Sequence, residues 1–154
     1  MTDLDAPCPP APDWPLASDR TVTAWIPLQP VPDEMGQLGF RPGSQREAVG
    51  RELSIGDESE AAIGEHVARR GHAFEVGAFE LGEVSFHLGR TFHKAGPDRS
   101  DRPRSVMTVI CMDAAMRMAR SPSPAQRNDA DQWCPGAREG EPIDTRKNPV
   151  IWRA

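Results

Sequence analysis

No two cysteines in this 154-residue chain stand in a Cys-x-x-Cys spacing, and the three that occur, Cys8, Cys111 and Cys134, are an odd number widely scattered. That excludes a disulfide framework and a structural zinc site, and leaves reduced thiols in an intracellular protein as the expectation. Long apolar runs are missing too. The longest, Val106–Met112, falls far short of the ~20 residues that cross a bilayer. The opening MTDLDAPCPPAP has two acids and no apolar centre, so it does not read as a secretory leader. Lysine occurs only twice and the net charge is −5, which argues against nucleic acid as the main partner. These absences describe a cytoplasmic protein whose main partner is neither nucleic acid nor membrane.

What the chain does have is turn formers. Sixteen prolines and thirteen glycines favour short strands over long helices, while 38% apolar and 27% charged residues fit one globular domain. Residues 1–13 form a proline-rich, irregular lead-in. TVTAWIPL, Thr21–Leu28, reads as the first strand, with Pro27 marking its end. Glu58–Arg70 reads as a short helical insertion capped by Ser59. Strands are expected near Ala78–Glu80, at Glu83–Leu88 and at Thr91–His93, and SVMTVICMD, Ser105–Asp113, reads as a buried central strand. Residues 114–154 read as an irregular tail wrapping the same domain, anchored by Trp133 and Trp152. Met107, Met112, Met116 and Met118 are expected to pack the core. Several short strands divided by turns point to an all-β sandwich or barrel.

The chemistry concentrates in FHLGRTFHKAGPDRSDRPR, Phe86–Arg104, which holds His87, His93 and a crowd of arginines. A symmetric hairpin about Asp98 and Arg99 would set His93 opposite Arg104 on one sheet face, an imidazole beside a guanidinium. Imidazole suits iron, and the guanidinium fork suits a carboxylate. His87 alternates with Phe86 and Leu88 and reads as a partly buried structural histidine; His66 and His72, in a polar segment, read as exposed.

TAWIPLQPVPDEMGQLGFRPGSQR followed by GEVSFHLGRTFHKAGPDRSDRPRSVMTVICMD resembles the phytanoyl-CoA dioxygenase family of non-haem Fe(II), 2-oxoglutarate-dependent oxygenases, over roughly Trp14–Asp113. The resemblance rests on the turn Gly36–Ser44 and the run His93–Arg104, in that order. It implies a double-stranded β-helix (a cupin-like jelly roll) over 14–113, here incomplete, and hydroxylation of an unactivated C–H bond with Fe(II) and 2-oxoglutarate. His93 then corresponds to the distal metal-ligating histidine, Arg104 to the arginine that binds the remote carboxylate of 2-oxoglutarate, and Trp25 to an aromatic position beside the cosubstrate. Asp98 and Ser100 correspond to loop-shaping residues.

The departure lies upstream. The family's iron takes two histidines and a carboxylate, the first pair from an H-x-D motif. Counting back from Asp13-Trp14-Pro15-Leu16 sets Cys8 and Pro10 at those positions, and no H-x-D or H-x-E occurs in the sequence. Cys8, Asp13, His66 and His72 are the substitutes on offer. The alternative to an oxygenase is therefore a truncated or degenerate non-catalytic remnant, at most a small-anion-binding β-domain.

Overall fold

The computed structural model describes residues 14–47, 49, 57–77, 79–121 and 123–152. It is mostly β, with two three-stranded sheets and two α-helices. The described residues fall into two compact units, Val22–Cys111 and residues 14–21 with 112–152.

In one sheet the order is β4-β1-β6, with β1 at Thr21–Pro27, β4 at Ser85–Leu88 and β6 at Val106–Met112. β1 is rich in β-branched and aromatic residues, as a pleated, half-buried surface favours, and it ends at Pro27. It pairs antiparallel with β4, setting Thr23 opposite His87 and Trp25 opposite Ser85. Those four side chains share a face because side chains alternate along a strand. Phe86 and Leu88 take the other face and are 70% and 50% exposed.

The second sheet, β3-β2-β5, is built from much shorter pieces: Leu38–Phe40 for β2, Glu75–Val76 for β3 and His93–Ala95 for β5. β2 is the centre, with Phe40 opposite Glu75 on one side and opposite His93 on the other. Trp25, Val31, Met35 and Leu38 form the buried core of this unit, joined by Phe40, Phe79, Ala95 and Val106. A second cluster, Ile63, Val67 and Phe92, fastens helix α1, Asp57–Arg70, to the residue before His93. Arg69 and Arg70 in the last turn of α1 complement the helix dipole.

The other unit has its own core of Met116, Met118, Cys134 and Ile143. Helix α2, Pro124–Trp133, belongs to it. Ser123 Oγ accepts the Gln126 N–H at 3.1 Å and the Gln126 side chain accepts the Ser123 N–H at 3.2 Å, a reciprocal cap with Pro124 at the first helical position.

Several expectations need correction. The tail is not wholly irregular, since it holds α2. Trp152 is 74% exposed and anchors nothing; Trp133 is 44% exposed, with its ring 6.1 Å from that of Trp14. Met107 is 47% exposed, unlike the buried Met116 and Met118. Helix α1 begins at Asp57, which leaves Ser59 inside its first turn. The strand expected near Ala78–Glu80 is instead a single bridge from Phe79 to Val31, with β3 a few residues earlier; Ala78 itself lies outside the described residues. β6, expected to be central and buried, is the outer strand of its sheet among the described residues, with Met107, Val109 and Ile110 all more than 40% exposed. No helix among the described residues is long and apolar enough to cross a membrane.

Candidate functional site

The two sheets meet through a cluster of rings. His93 opens β5, opposite Phe40 of β2, and its ring centroid lies 4.7 Å from that of His87, which projects from β4. Phe40 contacts both imidazoles, at 5.0 Å for His87 and 6.3 Å for His93. His93 Nδ1 lies 2.8 Å from the Thr91 carbonyl. A carbonyl only accepts, so Nδ1 carries a proton, as in metal-ligating histidines whose other nitrogen is bonded to a backbone carbonyl. His87 is 8% exposed, and its Nδ1 has no hydrogen-bond partner. Burial, and then the neighbouring His93, push its pKa down to about 4, so the ring is neutral at physiological pH.

His93 and Arg104 do not face each other across a hairpin. β5 pairs with β2, whereas β6, which follows Arg104, belongs to the other sheet. The intervening loop stays against the stretch before β2: Gly96 N–H donates to the Gln37 carbonyl at 3.1 Å and Arg99 N–H to the Glu34 carbonyl at 2.7 Å. It then crosses over, and Ser105 receives the Leu28 N–H at 3.0 Å. All three residues of β5 pair with β2, while β6 is hydrogen-bonded into the other sheet. The half-buried Arg104 donates from Nη1 to the Met35 carbonyl at 3.1 Å and also to the Gly36 carbonyl. The two residues therefore attach to different ends of the stretch 36–40, Arg104 at Gly36 and His93 opposite Phe40.

Gly36 is itself required there. Its φ is +74°, and a Cβ would run into the backbone carbonyl of Gly96. Asp98 caps the loop by accepting the Ser100 N–H at 2.9 Å and the Ser100 hydroxyl at 2.6 Å. Those bonds, with help from Arg104, hold its carboxyl below the usual range. Trp25 is 7% exposed, with its ring 4.9 Å from that of Phe79, inside the core that also holds Met35.

A cluster that the sequence does not announce lies at the end of α1. Glu47 follows the 3-10 turn Ser44–Arg46, and one of its oxygens lies 2.9 Å from His66 Nε2 while the other lies 3.0 Å from His72 Nε2. Arg70 adds a contact at 3.2 Å. His72, then His66, then Arg70 hold the Glu47 carboxyl down to about 2. His66 and His72, expected exposed, have side chains only 20% and 16% exposed. Their Nε2 atoms grip a carboxylate rather than converge on a common point.

An iron of the two-histidine, one-carboxylate type needs three protein donors on one face. Among the described residues no group of three or more His, Cys, Asp or Glu can hold a metal ion. The described donor set therefore does not fit a complete triad. Cys8 and Asp13 lie outside the described residues.

Comparison with known proteins gives this geometry its context. None of the curated proteins matches. Among solved structures, the epimerase SnoN in complex with Fe3+, alpha ketoglutarate and nogalamycin RO is 28% identical, with a TM-score of 0.72 over 92% of this chain and 55% of that one. A second SnoN structure, described as a non-heme alpha ketoglutarate dependent epimerase from nogalamycin biosynthesis, is 26% identical at TM-score 0.73, over 96% of this chain and 56% of that one. The carbocyclase SnoK, also non-heme and alpha ketoglutarate dependent, is 25% identical at TM-score 0.68, over 92% of this chain and 54% of that one. The chain thus spans about half the length of these relatives. The family model for phytanoyl-CoA dioxygenase (PhyH) matches residues 6–106. By that match, which covers most of the chain, it belongs to the phytanoyl-CoA dioxygenase family.

Proposed function

We propose that the chain carries part of the site of an Fe(II)/2-oxoglutarate-dependent dioxygenase that hydroxylates an unactivated C–H bond of a small molecule, on a double-stranded β-helix. The observation that carries this reading is the His93 ring, whose Nδ1 donates to the Thr91 carbonyl at 2.8 Å, the kind of hydrogen bond that orients a ligating imidazole. Membership of the family and likeness to alpha ketoglutarate-dependent enzymes support it. In this reading His93 is a metal ligand, Arg104 the counter-charge for the remote carboxylate and Trp25 the apolar wall behind Met35. Metal and cosubstrate supply the oxidising power of such a site, while the protein supplies orientation and exclusion of water.

A second reading is a non-catalytic β-domain that at most binds a small anion. It is favoured by the absence of a three-donor group among the described residues, and by Arg104 giving Nη1 to two backbone carbonyls. An anaerobic titration of the chain with Fe(II) and 2-oxoglutarate separates the two. The dioxygenase reading expects a saturable visible charge-transfer band that His93→Ala abolishes, and iron-dependent conversion of 2-oxoglutarate to succinate. A folded chain that gives neither band nor succinate is the non-catalytic domain.

A further inference from the structure

We infer that the outward face of the sheet β4-β1-β6 is a self-association surface, on which two copies of this chain pack sheet against sheet about a two-fold axis. The inference is independent of the proposed chemistry.

The strand pairing sets apolar side chains next to one another. Phe86 and Leu88 of β4 stand opposite Ala24 and Val22 of β1. On the other side of β1, the Leu28 N–H donates to the Ser105 carbonyl and the Asp113 N–H to the Arg20 carbonyl, both at 3.0 Å. Counting inward from these two bonds sets Ile26 opposite Met107, Ala24 opposite Val109 and Val22 opposite Cys111. Directly opposed side chains share a face, so all of these residues form one surface across three strands. Trp25 and Val106, one residue out of step with them, turn the other way and pack in the core. None of the side chains on the outward face carries a charge. Phe86 is the most exposed of them, and Leu88, Met107 and Val109 are each more than 40% exposed.

Size and charge select the occupant. The exposed part of this face is on the order of 500 Å², toward the upper end of the largest apolar patch on an ordinary monomer. Two such faces pressed together bury ~1,000 Å², the size that a specific interface needs. The chain carries a net charge of −5, so identical copies repel one another except where an uncharged surface meets its own image. A strongly acidic or basic partner finds no counter-charge on it. A two-fold axis brings the same patch together from both copies, which suits a face made of one kind of side chain. Two sheets then stack as in a β-sandwich, about 10 Å apart. Phe86 supplies the aromatic anchor of the contact.

The test is sedimentation velocity of the full chain over about a hundredfold range of concentration, at low and high salt. The expected result is a reversible monomer–dimer equilibrium that stops at the dimer and does not weaken as salt rises. Phe86→Asp sets a carboxylate into the apolar contact on each copy and should weaken dimerisation about tenfold or more. Val109→Asp, on a different strand of the same face, should do the same. Val76→Asp is the control, since Val76 is 43% exposed but belongs to β3 in the other sheet, and it should leave the equilibrium unchanged. A monomer at every concentration overturns the inference, as does an open-ended series of oligomers. So does a dimer that survives both Phe86→Asp and Val109→Asp. Circular dichroism checks that each variant is folded, and if Phe86→Asp is not, Leu88→Asp takes its place.

Discussion

The hydroxyl of Ser44 accepts the backbone N–H of Phe92 at 2.8 Å, with Ser44 itself fully buried. One bond thus ties the Pro-Gly-Ser turn to the residue before His93. Ser44→Ala leaves that N–H unsatisfied in the interior and should cost about 1–3 kcal/mol. Urea unfolding checks this: the midpoint should fall while the slope stays the same.

Glu47 supplies the pH dependence. Its carboxyl titrates near 2 in the folded chain instead of 4.5. A depressed folded-state value stabilises the native form above the unfolded pKa, and that stabilisation is lost as pH falls from about 4.5 toward 2. Unfolding midpoints measured across that window should drop more steeply for the wild type than for Glu47→Gln. At neutral pH Glu47→Gln should already be the less stable, because His66, His72 and Arg70 lose a charged acceptor.

Gly36→Ala attacks the loop that receives Arg104. The left-handed backbone at +74° alone costs a side chain about 1–2 kcal/mol, and the Gly96 carbonyl stands where the Cβ would go. Because that obstacle is backbone, it cannot swing aside. A large loss of thermal stability is the expected outcome, read by circular dichroism, with Gly39→Ala as a comparison in which the obstacle is the Phe74 ring.

Ser123→Ala removes one half of the reciprocal cap on α2 and should destabilise that helix by about 0.5–2 kcal/mol. Amide hydrogen exchange should report the loss in residues 124–133, with Phe92 and its neighbours unchanged.

Legibility followed the range of the interactions. β1 and α1 could be read directly, because seven or more residues of consistent propensity carry a local signal. β2, β3 and β5 have three residues or fewer, too short for any period to show. Which sheet receives β5 is decided by bonds such as Gly96 to Gln37, nearly sixty residues apart, so the His93–Arg104 hairpin looked sound locally and was wrong. Ser123 and Gln126 around Pro124 were a readable helix start, obscured by the surrounding prolines. At the candidate site His93 and Arg104 stood out through motif. The embrace of Glu47 by His66 and His72 had no local mark, since residues 19 and 25 positions away must fold back to make it.

β6 has a consequence for how this chain behaves in the test tube. Its sequence, VMTVICM, carries no charge and no proline, and it forms the outer strand of its sheet among the described residues. Nothing in those seven side chains repels another strand laid alongside. Folding is a first-order process, but strand-to-strand capture between molecules is second-order, so dilution favours the folded chain and concentration favours the aggregate. The yield of folded material is then set by how long newly made chains stay crowded together, as much as by the stability of the fold.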